Sequence, residues 1–530
     1  MNILKRSAYG LALTLLLFVL FQAQTSRAVI VAGIGQNFTG STYGVDSFFV
    51  PPDANGAAGP LYFVEIINGR FAVYDKLTGT RIKSLTDDSF WSQAGVSLPG
   101  GWGEADPRVI YDPATQRWFA SAIGFDPTGL INTNYFLLAV SADADPTGTW
   151  KAVAVLADSR DFADFPTLGL DDNGVYVAGD MFPPFGNPTG MTLLSFPKAD
   201  LLAATPTAAN MTRFTSLSYS TYGEILQPVV CLDGSSAGRI LAAESAGVDF
   251  QTHTSLKTFT VANAAGPGSA THSSVTSITI PGYDVPINPY QPDGSDNLDD
   301  GDARLSAMVR CVNGVFYAVH GVQYNNRAAV RWYRINAADN SLLESGTITT
   351  NLDLFYPSIA ANDDGTVVIG FNGCSSNSFI SAYAVVGRTV GGVTTFGPLM
   401  LLKAGNVSYQ NTDSTGYSRW GDYSTTSVDP ADPTRFWTIQ MYPSAGDSWS
   451  TQITEILTGP VPLTIGATGT NAAISWPTYA AALHLETATN LAITATWTQL
   501  TPTLITNGNL VTAMVPVPNT HQYFRLNATP

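Results

Sequence analysis

The chain has 530 residues, of which only 12% are charged, and a formal net charge of −16. Its 48 glycines, 32 prolines and 11% aromatics exclude a disordered chain, which lacks apolar and aromatic residues to bury, and fit many short strands joined by turns. The acidic balance excludes nucleic acid and anionic membrane surfaces as partners, because both are held by Lys/Arg patches.

Residues Met1–Ala28 have the three parts of a secretory signal: Lys5 and Arg6, the apolar run Leu11–Phe21, and Ser26-Arg27-Ala28 with small residues at the two positions a signal peptidase reads. The run is short of the ~20 residues a membrane span needs, and no later segment is longer without polar interruption. Export and cleavage are therefore expected, with no transmembrane anchor left on the mature chain. Cys231, Cys311 and Cys374 show no CxxC spacing and are too few for a disulfide framework; one bridge and three buried thiols both remain open.

A repeat follows. Its clearest copy opens at Asp106-Pro107-Arg108 and continues through the β-prone stretches Arg117–Ala122, Tyr135–Ser141 and Trp150–Val155, which make one four-stranded propeller blade. Openings of the same kind, a Pro or acidic residue before an apolar strand, stand near 53, 164, 228, 303, 357 and 422. The expected fold is all-β: a propeller of about seven blades over 29–457, or six if the degenerate first copy closes the last blade. Sandwich repeats run nearer ~100 residues, which disfavours a sandwich array. A Pro/Gly linker at 458–462 precedes 463–530, where five or more alternating stretches predict a small β-sandwich.

The run Pro51-Pro52-Asp53-Ala54-Asn55-Gly56, Asp106-Pro107 with Arg117-Trp118, Tyr356-Pro357-Ser358 and Arg419-Trp420-Gly421-Asp422-Tyr423 resemble secreted bacterial propellers related to the sialidase-like, BNR/Asp-box group, mostly without assigned activity. Ser141–Trp150 looks like an Asp box with two extra residues before Gly148, a turn that speaks for the fold and not for catalysis. The C-terminal stretch looks like an immunoglobulin- or fibronectin-like module. The resemblance implies a secreted or cell-surface protein.

Strand openings in a propeller face the mouth of the central channel. A sialidase-like site there needs three Arg for the substrate carboxylate, a Tyr nucleophile with its carboxylate, and an acid. Arg108, Arg304 and Arg419 are the candidates for the first, Tyr356 with Glu224 for the second, and Asp106 or Asp53 for the third. The group's opening Arg motif is not visible. The competing expectation is that these Arg and Asp residues pair across blades and hold the ring closed. Asp53, Asp164, Trp420, Asp422 and Tyr423 are the candidate ligand-binding residues, the aromatics by stacking on sugars or, alternatively, by packing the blades. The loop carrying Asp293, Asp296, Asp299, Asp300 and Asp302 has the oxygen density that calcium requires, though not an EF-hand spacing, and reads equally as a solvated acidic turn. Histidine spacing excludes a zinc motif, and no nucleophile elbow or phosphate loop occurs. The leading expectation is a module that binds an extracellular glycan or other polymer; the alternatives are a sialidase-like glycoside hydrolase and a structural surface protein.

Overall fold

A computed structural model describes residues 30–186, 188, 190–244, 251–301, 303–413, 416–492, 495–516 and 521–527; the expected signal peptide lies outside them. Apolar stretches broken by Gly, Pro and Asp turns fold into seven sheets of four or five strands, antiparallel but for one short parallel pairing, arranged as the blades of a propeller. Blade 1 runs from Asn55–Ala58 to Arg81–Leu85, blade 2 from Gly103–Asp112 to Trp150–Leu156, and blade 3 from Phe162–Leu170 to Thr212–Leu217. Blade 4 spans Glu224–Pro228 to Thr276–Tyr283, blade 5 Arg310–Val312 to Leu342–Ile348, and blade 6 Asp353–Ala361 to Met400–Lys403.

Blade 7 takes Thr425–Val428, Arg435–Ala445 and Ser448–Leu457 from the end of the repeat and its outer strand, Gly33–Thr42, from the beginning. Phe38 lies opposite Ile453, so a non-local pairing between the two ends of the repeat closes the ring. The degenerate first copy is thus blade 1, and the closing strand precedes it. Inner strands bury both faces, as in Asp353–Ala361, where every residue is buried.

The seam is pinned by Glu65 of blade 1. Its buried carboxylate accepts hydrogen bonds from the Ser41 hydroxyl (2.7 Å) on the closing strand, the Thr451 hydroxyl (2.5 Å) in blade 7 and the Tyr74 hydroxyl (2.8 Å). Glu65→Ala leaves three buried donors unmet and is expected to cost about 2–3 kcal/mol, read as a lower midpoint in denaturant unfolding. An unchanged midpoint would mean that strand pairing alone closes the ring.

The Asp143–Trp150 segment forms a stapled turn in blade 2. Asp145 Oδ1 accepts from the Thr147 amide and hydroxyl, and the Trp150 indole donates to the Pro146 carbonyl at 2.9 Å. Beyond residue 460, two further sheets enclose Ile474, Trp476, Leu485, Val511, Ala513 and Val515, forming the small sandwich. No helix among the described residues is long and apolar enough to cross a membrane.

Candidate functional site: the channel mouth

Five blades open with a non-glycine residue in the left-handed region: Asp53, Asp106, Phe165, Ile225 and Tyr356, with φ between 47° and 56°. In blades 2, 3, 4 and 6 the register slips at that residue, a β-bulge that re-aims side chains where the strand starts. Proline follows three of them, Pro107, Pro166 and Pro357, and dispenses with the amide that the bulge would strand.

The openings of blades 7, 1, 2 and 3 are tied to one another by carboxylates. Asp53 accepts from the Asp422 amide (3.0 Å) and the Asn68 side chain (2.9 Å), and Asp106 accepts from the Phe165 amide (3.1 Å). Asp53 and Asp106 also bond each other, which requires a shared proton. Burial, then the charge of Asp422, pushes Asp53 up to about 7; burial, then Asp53, pushes Asp106 well above the carboxylate range. These two acids therefore tie neighbouring blades, but not by the Arg–Asp pairs of the competing expectation: their partners are backbone amides, the Asn68 side chain and each other.

Above them lies a cavity of about 390 Å³. Its walls carry six carboxylates, Asp164, Asp180, Glu224, Asp299, Asp300 and Asp422, against two guanidinium groups, Arg304 and Arg419. Arg419 is clamped between Asp299 and Asp422, each at 3.0 Å, and Arg304 stands over the Phe165 ring at 4.8 Å. Burial raises Asp164 and Asp299 from the usual carboxylate value and Asp180 well above it, which favours the protonated form, a donor as well as an acceptor, on this wall. Tyr356 lines the same cavity, is 5% exposed, and its hydroxyl has no hydrogen-bond partner. Gly301 crosses over it with φ 79°; a Cβ there would stand 3.0 Å from the Tyr356 ring.

Several expected site residues lie elsewhere. Arg108 is 1% exposed beneath the cavity, its guanidinium 3.3 Å from the centre of the Tyr423 ring and its Nη1 donating to the Ser306 carbonyl at 3.0 Å. The three Arg thus do not converge on one ligand position. Trp420 and Tyr423 offer no face to a sugar: both are fully buried, with the Trp420 indole donating to Asn372 (3.0 Å) and the Tyr423 hydroxyl to the Pro107 carbonyl (3.0 Å). The acidic loop divides. Asp299 and Asp300 face the cavity, Asp293 and Asp296 are exposed away from it, and Asp302 lies outside the described residues. Among the described residues, the acidic side chains that gather closely enough to share an ion are Asp87, Asp88 and Glu104, with a second group at Cys231, Asp233 and Cys311.

Asp180 and Tyr219 were not foreseen. Asp180 sits at the far end of the second strand of blade 3, which runs antiparallel and places it opposite Asp164. The antiparallel partner of each opening residue was the available signal. Tyr219 comes from a single helical turn, Tyr219–Tyr222, between blades 3 and 4.

No family model matches the sequence, and no curated protein matches it. Among solved structures, the chain is similar to a protein of unknown function from Dyadobacter fermentans (12% identity, 69% of this chain and 97% of that one, TM-score 0.38). It is also similar to the Dos1 propeller (8% identity, 79% and 94%, TM-score 0.36). A third is a family 117 glycoside hydrolase of the marine bacterium Zobellia galactanivorans (10% identity, 68% and 87%, TM-score 0.28). At these identities and scores the likeness carries no argument about this chain.

Proposed function

We propose that this chain is an exported binding protein whose channel-mouth cavity holds a neutral, hydroxyl-rich ligand, a sugar unit of an extracellular glycan. The supporting observation is the cavity wall: six carboxyls, of which burial favours the protonated form at Asp180, beside two guanidinium groups and the unmet Tyr356 hydroxyl. Such a wall offers donors and acceptors in alternation, which is what a ring of hydroxyls requires. Its excess of carboxylates disfavours an anionic sugar, and the commitment of Arg108 to Tyr423 and Ser306 removes one third of the guanidinium set a sialic acid would need.

Retention on arrayed neutral glycans tests the reading, together with a fluorogenic glycoside panel. Tyr356→Phe and Asp180→Asn are expected to weaken retention about 3–10-fold each, the worth of one neutral hydrogen bond. Retention only on sialylated glycans, or on none, would remove the proposal. Release of fluorophore that Asp180→Asn abolishes would make the same cavity hydrolytic, with Asp180 as the protonated acid.

A further inference from the structure

The inner strands lead from the acidic mouth to a second cavity, of about 440 Å³, at their opposite ends. It lies where Asn55–Ala58, Gly103–Asp112, Asp353–Ala361 and Thr425–Val428 finish. The two cavities differ in chemistry. The second is walled largely by apolar groups, among them Ile110, Val230, Leu232, Val312, Ala360 and Val428. Between them lie Arg108 stacked on Tyr423 and a hydrogen-bonded cluster of Ser358, Ser424, Thr438 and Gln440 between blades 6 and 7.

Arg310 stands in this apolar cavity with no counter-ion among the described residues. Its Nη2 donates to the Thr426 carbonyl at 3.3 Å, its buried Nε meets no acceptor, and no described carboxylate pairs with it. Burial alone pushes its pKa down to about 10. Asp429, on the same wall, is already held by Lys76 at 2.6 Å and by the Trp437 indole at 3.0 Å. Asp233 is engaged by the amides of Ser235 and Asn313. Arg310 is half-buried, and a partly desolvated cation with no described counter-ion costs a folded chain some stability that an anionic ligand would return.

We propose that this cavity binds an organic carboxylate with an apolar body: the carboxylate on the Arg310 guanidinium, the body against the strand ends. The guanidinium fork matches a carboxylate in a bidentate pair. The volume falls within the roughly 300–1,000 Å³ of small-molecule sites. A small hydrated anion would give up its water against apolar walls with one cation in return, so the apolar body is part of the specification. The site is independent of the glycan reading, because it uses neither the mouth cavity nor its residues.

The test is thermal unfolding and calorimetric titration of the mature chain with octanoate, octanol and inorganic phosphate, on wild type, Arg310→Met and Arg310→Gln. Octanoate is expected to raise the Tm of the wild type, while octanol and phosphate leave it in place. Both variants are expected to bind octanoate about tenfold more weakly or worse. Without ligand, Arg310→Met is expected to unfold no lower than wild type, since it removes a half-buried charge that no described carboxylate offsets. Equal octanoate affinity in wild type and variants, an octanol shift matching that of octanoate, or no octanoate shift at all would each overturn the proposal. So would a large fall in the Tm of both variants without ligand, which would make Arg310 a structural tie to Thr426.

Discussion

Arg108→Met is expected to lower the unfolding free energy by about 3–5 kcal/mol, among the larger single-residue effects available in a protein. Arg108 belongs to the inner strand of blade 2 and touches three other parts of the ring. Its Nε donates to the Pro166 carbonyl of blade 3 (3.2 Å) and its Nη1 to the Ser306 carbonyl ahead of blade 5 (3.0 Å), while its guanidinium lies on Tyr423 ahead of blade 7. Removing it takes a donor from the Pro166 and Ser306 carbonyls, leaving the latter only Gln227 at 3.4 Å, opens a void in the channel, and takes away the cation beneath Asp53, Asp106 and Asp422. Arg108→Lys is expected to recover little, because an ammonium cannot stack as a plane and serve two diverging carbonyls together. The midpoint of guanidinium chloride unfolding, followed by far-UV circular dichroism, measures both variants. A near-wild-type midpoint for Arg108→Lys would show that charge alone, without the stacked geometry, holds the channel. The same pair separates structure from recognition. If Arg108 faced a ligand, Lys would lose affinity at unchanged stability, whereas the buried position predicts the reverse.

Arg108 also shows where sequence reasoning stops. The blades were legible because each begins with a turn residue before an apolar stretch, and that grammar is local: Asp106-Pro107, Phe165-Pro166 and Tyr356-Pro357 all mark strand starts. Depth along the channel is not local. Asp106 and Arg108 are two residues apart on one strand, yet one lies at the ring of openings and the other a layer below, in contact with Tyr423 from the far end of the repeat. For Trp420 and Tyr423 the sequence leaves stacking on a sugar and packing of the blades both open, since nothing in Arg419-Trp420-Gly421-Asp422-Tyr423 says which side chains turn inward, and the structure has both packed. The closing strand Gly33–Thr42 was invisible as a strand: only Ile34 and Phe38 are large and apolar, and its partner stands some four hundred residues away. Blade 5 was displaced too. Its opening was placed at Asp302-Ala303-Arg304, but the inner strand starts at Arg310, where Val230–Cys231 pairs with it in parallel. Within the site, Arg304, Arg419, Tyr356, Glu224, Asp164 and Asp422 were all placed at the mouth by the sequence and all line the cavity. The residues missed there, Asp180 and Tyr219, arrive from a strand end and a helical turn rather than from an opening.

Glu104→Gln is expected to stabilise the protein at pH 8 by about 3–5 kcal/mol and to leave it nearly unchanged near pH 5. Glu104 lies on the inner strand of blade 2, 6% exposed, facing Asp87 and Asp88 of the short helix Asp87–Gln93; its Oε2 has no partner. Burial first, then its bond to Asp88 and the charges of Asp87 and Asp88, pushes its carboxyl up to about 9 from 4.5. The folded chain therefore holds a proton there across a range in which the unfolded chain has released it. Stability from this group is fully present below about 4.5 and is lost as pH rises towards 9, at about 1.4 kcal/mol per pH unit. Asp87, raised by burial to about 6, adds a smaller fall of the same sign that ends near that pH. Glutamine reproduces the protonated acid, donating to Asp88 with no proton to lose. Thermal unfolding of both proteins from pH 5 to pH 9 should give curves that start together and diverge, with the variant flatter and higher. Parallel curves would show that Glu104 ionises in the folded state without penalty, and that water or a cation reaches the space between it and the helix.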